Sequence, residues 1–114
     1  DVETKNRSLE RTLALLPESE LSEQEKLGIR ANVHLERGET ELAIEAMGAI
    51  LRGNPLEENI QFQRARLLLN VGRLQEALED ARNLVRSNRM HRGYNQILKQ
   101  IESEIQKLEE AQIP

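Results

Sequence analysis

The chain has no cysteine and no tryptophan, and only one phenylalanine, one tyrosine and three prolines among its 114 residues. The lack of cysteine excludes disulfides and thiolate metal sites. It is compatible with the cytosol, which is favoured, and with the periplasm. Aromatic residues make up 2% of the chain, so the core has to be aliphatic. No run comes near the roughly 20 apolar residues that cross a bilayer, and no signal-peptide pattern is present. No membrane insertion is therefore expected. Basic residues are in deficit too: sixteen Lys plus Arg stand against twenty Asp plus Glu, a formal net charge of −4. That balance argues against a general nucleic-acid-binding role and leaves room only for a local basic patch. The first residue is Asp1 rather than Met, from which a domain of a larger protein is expected.

What is abundant points to helices. Leu, Ala, Ile, Glu, Arg and Gln prevail, and straight-chain residues lose little rotamer freedom in a helix. At 38% hydrophobic and 32% charged, the composition suits one small, soluble, all-α domain. Leu9, Leu13 and Leu16 share one face of a helix over Thr4–Leu16, which Pro17 ends. Ser22 and Glu25 have the spacing of a capping box, so a second helix starts near Ser22 and runs to Arg37, where Gly38 closes it. A third helix, Glu39–Arg52, buries Leu42, Ala43, Ala46, Met47 and Ile50. Asn54 and Pro55 then supply a cap and a first-turn proline for a fourth, Pro55–Val71, closed by Gly72. A fifth, Arg73–Ser87, buries Leu74, Ala77, Leu78, Ala81, Leu84 and Val85. After Asn88 a last helix of about twenty residues runs toward Ala111.

The stretch from Gly38 to Pro55 is echoed 34 residues later. Residues 24–57 laid on 58–91 give eight identities: Arg30/Arg64, Ala31/Ala65, Leu35/Leu69, Gly38/Gly72, Ala43/Ala77, Glu45/Glu79, Arg52/Arg86 and Asn54/Asn88. A helix–turn–helix period of 34 residues with small residues at Ala31, Ala65, Ala43 and Ala77 and turn glycines at Gly38 and Gly72 resembles the tetratricopeptide repeat family. Pro55 fits the terminal proline of that pattern, whereas Arg89 does not. The family's aromatic positions hold His34/Leu68 and Met47/Ala81. The resemblance covers residues 24–88 and implies an antiparallel helix-pair solenoid, a right-handed superhelix of about six helices with a long C-terminal capping helix. It implies one domain over 1–114: a half repeat and linker at 1–21, repeats at 22–54 and 55–88, and the cap at 89–114.

Little in the chain suggests catalysis. His34 and His91 lie in different elements without a nucleophile pattern, and no phosphate-binding glycine loop is present. His34 reads as a packed or half-buried histidine, His91 as a solvated turn residue. The many carboxylates read as solvent-facing helix charges. No enzyme activity, catalytic residue, metal site or cofactor is expected.

The family resemblance implies a concave groove, lined by the first helix of each pair, that holds a peptide or partner helix. On that frame the inward positions are Glu25, Gly28, Ile29, Asn32, Leu35 and Glu36, then Asn59, Phe62, Gln63, Arg66, Leu69 and Asn70. Phe62 would be the aromatic anchor; the alternative is that the terminal helix covers Ile29, Leu35, Phe62 and Leu69. Asn32 matches one residue of the family's carboxylate clamp, but Gly28 stands where the clamp has lysine. The expected function is protein–protein interaction as an adaptor, scaffold or assembly module. A second reading is homo-oligomerisation through a heptad-like seam of Ile97, Ile101, Ile105 and Leu108. A third and less favoured reading, RNA association, rests on Arg86, Arg89, His91 and Arg92, which read more readily as complements to a helix dipole.

Overall fold

The computed structural model describes residues 2–112, apart from the side chain of Glu18. Asp1, Ile113 and Pro114, at the ends of the expected 1–21 and 89–114 segments, lie outside the described residues. The described chain is all-helical: α1 (Val2–Leu15), a 3-10 turn (Leu16–Glu18), α2 (Glu23–Glu36), α3 (Thr40–Gly53), α4 (Glu58–Asn70), α5 (Leu74–Ser87) and α6 (Arg92–Ala111). It divides into two compact units, Asp1–Leu56 and Glu57–Pro114.

In the first unit α2 opens with the capping box read from the sequence. The Ser22 side chain accepts from the Glu25 N–H at 3.1 Å, and the Ser22 N–H donates to the Glu25 carboxylate at 3.2 Å. At the other end the Gly38 N–H donates to the Leu35 carbonyl at 3.1 Å and the Glu39 N–H to the His34 carbonyl at 2.8 Å. This pair of bonds satisfies carbonyls that the helix end leaves open, and it requires a left-handed residue between them. Gly38 supplies it with φ of +75°. The chain reverses there, and α3 packs on α2 around Ala31, Val33, Ala43, Ile44, Ala46, Met47, Ile50 and Leu51, all buried. The core of α3 differs from expectation at Leu42, which is 44% exposed, while Ile44 and Leu51 are buried. α1 lies against α2 with Leu9 and Leu13 half-buried and with Lys5–Glu36 and Glu10–Arg37 ion pairs at 3.9 and 3.5 Å. Pro17 ends α1, which stops at Leu15, as expected, without ending helical structure. It sits at the start of the 3-10 turn, where its missing N–H costs nothing.

The second unit repeats these bonds. The Gly72 N–H donates to Leu69 at 3.2 Å and the Arg73 N–H to Leu68 at 2.9 Å, with Gly72 at φ +82°. Ahead of α3 and α5, Glu39 and Arg73 take φ/ψ of −89°/70° and −84°/70°. After them, Asn54 and Asn88 take −147°/86° and −147°/85°. α4 and α5 form a hairpin around Ala65, Leu68, Ala77, Leu78, Ala81 and Leu84, and α6 covers α5 with Tyr94, Ile97 and Ile101. Each fully buried Leu, Ile, Val or Met side chain in these cores contributes roughly 1.5–3 kcal/mol. α5 buries less than expected: Leu74 and Val85 are half-buried. The fourth helix starts three residues later than the Asn54–Pro55 pair suggests, at Glu58, because Asn54 turns its side chain onto the Leu56 N–H at 3.4 Å and makes a turn instead of a cap.

Candidate partner-binding groove

On α4 the predicted residues Asn59, Phe62, Gln63, Arg66, Leu69 and Asn70 recur at three- and four-residue spacing, opposite the buried Ala65 and Leu68. The face is exposed at Asn59, Gln63, Arg66 and Asn70 and half-buried at Phe62 and Leu69. Beside it runs α6. Between the two helices a small depression of about 210 Å³ is lined by Phe62, Arg66, Gly93, Gln96, Ile97 and Gln100. A wider trough of about 950 Å³ continues from it past the Gly72 turn, lined by Leu69, Asn70, Val71, Leu74, Lys99, Gln100, Ser103, Glu104, Lys107 and Leu108 among others. Gln100 lines both.

The chemistry of this strip is mixed. Leu69, Val71, Leu74 and Leu108 give it an apolar floor, with Val71 39% and Leu108 55% exposed. Gln96, Gln100, Asn70 and Ser103 offer hydrogen bonds on its walls. Arg66, Lys99 and Lys107 make it cationic, and the Glu104 carboxylate is paired with Lys107 at 3.2 Å.

Phe62 is half-buried, between the open anchor and the covered position that the sequence leaves as alternatives. Its ring meets Tyr94 edge-on at 5.2 Å and His91 at 6.3 Å, and the Arg66 guanidinium lies over it at 5.8 Å. It joins α4 to the start of α6, an aromatic seat that leaves only part of the ring open. His91 is exposed as expected, but it is built into the helix start: its Nδ1 accepts from the Tyr94 N–H at 3.2 Å and its ring stacks on Tyr94 at 3.7 Å. The Tyr94 hydroxyl donates to Glu58 at 3.4 Å, and burial, then the Glu58 charge, push its pKa up.

No family model, curated protein or solved structure matches this chain.

The remaining predicted groove residues lie on α2 of the first unit. Asn32 is exposed there, and Gly28, Ile29 and Leu35 are half-buried. Glu25 is engaged in the capping box and Glu36 with Lys5. His34 is half-buried, as its position in the repeat suggests, with Nδ1 3.0 Å from Glu39. The proposed oligomer seam is split by packing. Ile97 and Ile101 are buried in the second unit's own core because α5 needs cover, while Ile105 is half-buried and Leu108 opens into the trough.

Sequence reasoning missed two buried charges. Asp80, 2% exposed, accepts from Arg64 Nε at 2.8 Å and from a second guanidinium nitrogen at 2.6 Å, with Gln61 Nε2 at 3.4 Å. The hydrogen bond to Asp80 raises the Arg64 pKa further. Its signal was there to read: one acid set in the otherwise apolar run Ala77, Ala81, Leu84. Lys26, also buried, reaches the Pro17 carbonyl and Glu23, both at 3.4 Å, and ties the 3-10 turn to α2.

Proposed function

We propose that this chain is a tetratricopeptide-like helical-repeat module whose work is to bind a segment of another protein, peptide or helix, without chemistry of its own. The observation that carries the reading is the trough between the α4–α5 turn and α6, which leaves Val71 and Leu108 open and Leu69 and Leu74 half-buried beside hydrogen-bonding and cationic walls. Apolar anchors on a partner would be buried on that floor, each contributing roughly 1.5–3 kcal/mol. The walls would fix the orientation of the partner's backbone. The groove edges are regular helices closed by hydrogen-bonded turns, so little ordering entropy is lost on binding. The recurrence of the glycine turns at a 34-residue interval supports the repeat assignment.

Substitutions at Phe62 would disturb the seat of α6, so the test belongs on the open residues. Proteins captured by the tagged chain are compared with those captured by Leu108→Asp and Lys99→Glu variants of matching helical content. Both are expected to lose the same partner. Full retention by both variants rejects the groove.

A further inference from the structure

From Ala81 to Ile101 the chain carries Arg82, Arg86, Arg89, Arg92 and Lys99 and not one Asp or Glu, in a protein with net charge −4. The four arginines are exposed. Among the described residues none of the four makes an ion pair with a carboxylate. They straddle the turn between α5 and α6, whose tip is Met90, 91% exposed. A thioether side chain standing this far out of a cationic turn is the feature that calls for explanation.

The turn is held in shape. The His91 N–H donates to the Asn88 carbonyl at 3.2 Å. The Asn95 side chain donates to the carbonyls of Arg89 and His91 at 2.9 and 3.0 Å. The His91 ring is pinned on Tyr94. Met90 therefore stays at the apex instead of folding back on the core. The adjoining α6 has no acid in its first turn, so the positive end of that helix adds to the arginine field.

We propose that this turn docks the second unit on an anionic membrane surface, with Met90 entering the headgroup layer and Arg86, Arg89 and Arg92 pairing with lipid phosphates. An apolar tip ringed by cations is the pattern for lying on a bilayer, a mode that needs no spanning helix. Nucleic acid shares the phosphate chemistry but rewards exposed rings on which bases stack. Here Tyr94 is buried, Phe62 half-buried and His91 already stacked, and an exposed Met90 would gain nothing. The inference stands independently of the groove.

The test is co-sedimentation with phosphatidylcholine vesicles, with and without phosphatidylserine, at low and high salt. Wild type is compared with Arg89→Glu/Arg92→Glu and with Met90→Asp. Both arginines are exposed, and a glutamate at position 92 suits a helix start, so the double variant is expected to keep its fold, checked by circular dichroism. The wild type binds only vesicles containing phosphatidylserine and is released by salt. Each arginine near such a surface strengthens partitioning about fivefold, so the double variant binds at least about thirtyfold more weakly. Met90→Asp binds several-fold more weakly. Equal binding to neutral vesicles, undiminished binding by the double variant, or no binding at low salt overturns the proposal. So does tighter binding to single-stranded RNA that Met90→Asp leaves unchanged.

Discussion

Gly38 and Gly72 hold φ values of +75° and +82°, and nothing stands within 4 Å of where a Cβ would lie on either. The cost of a side chain at these positions is therefore backbone conformation alone, about 1–2 kcal/mol for alanine. Gly72→Ala is expected to lower the urea midpoint accordingly and Gly72→Asn to lower it less; an unchanged midpoint for alanine contradicts the turn geometry. These glycines were legible in the sequence because a helix end is local chemistry. The Arg64–Asp80 pair was not, because helical periodicity says which face a residue occupies and nothing about who meets it there. The two partners are buried unequally, with side chains 27% and 2% exposed. Losing Arg64 strands a buried carboxylate beside Gln61 alone, whereas losing Asp80 leaves a guanidinium that reaches water. Arg64→Ala is expected to cost about 3 kcal/mol and Asp80→Ala about half that. Equal losses in urea unfolding would refute this asymmetry.

At the scale of the elements, the ends of α2 and α4 were readable and the start of α4 was not. Schellman-type closure depends on one glycine, whereas Asn54–Pro55 suits a cap and a turn equally well, and the turn won through the Asn54 bond to Leu56. The face of α3 was misread at Leu42 because the buried arc is turned around the helix toward Ile44, Gly48 and Leu51 and leaves Leu42 at its exposed edge. α6 is held to α4 by the Phe62–Tyr94–His91 cluster, and this latch responds to alkali. Burial and Glu58 raise the Tyr94 pKa in the folded protein. The folded form thus keeps the proton more tightly than the unfolded chain. The linked stability is present below the unfolded pKa of about 10 and is lost as pH rises through the higher folded value. Tyr94→Phe, which gives up only a 3.4 Å hydrogen bond, is expected to cost less than about 1 kcal/mol at neutral pH. It should also flatten the fall in melting temperature above pH about 10. An alkaline limb identical to wild type would exclude Tyr94 as its source.

For the whole molecule, the 34-residue echo in the letters recurs as matching turn angles and hydrogen bonds, because turn residues and small contact residues dictate them. The candidate groove was legible on one side only. The α4 residues follow from the repeat frame, but Lys99, Gln100, Ser103, Lys107 and Leu108 enter through the register of α6, which is fixed when Ile97 and Ile101 sink into the core. That burial bears on self-association. The seam Ile97, Ile101, Ile105, Leu108 is flanked by Glu102, Glu104 and Glu109, so pairing two copies along α6 would set carboxylates against carboxylates. With Ile101 taken and like charges at the flanks, Leu108 is better placed to receive a different partner than a second copy. The chain is therefore expected to sediment as a 13.1 kDa monomer. Leu108→Asp should leave that mass and the helical content unchanged while abolishing capture of the groove's partner. Ile101→Asp, fully buried in the second unit, should instead unfold that unit. A wild-type dimer that Leu108→Asp converts to monomer would transfer the role of this surface from partner capture to oligomerisation.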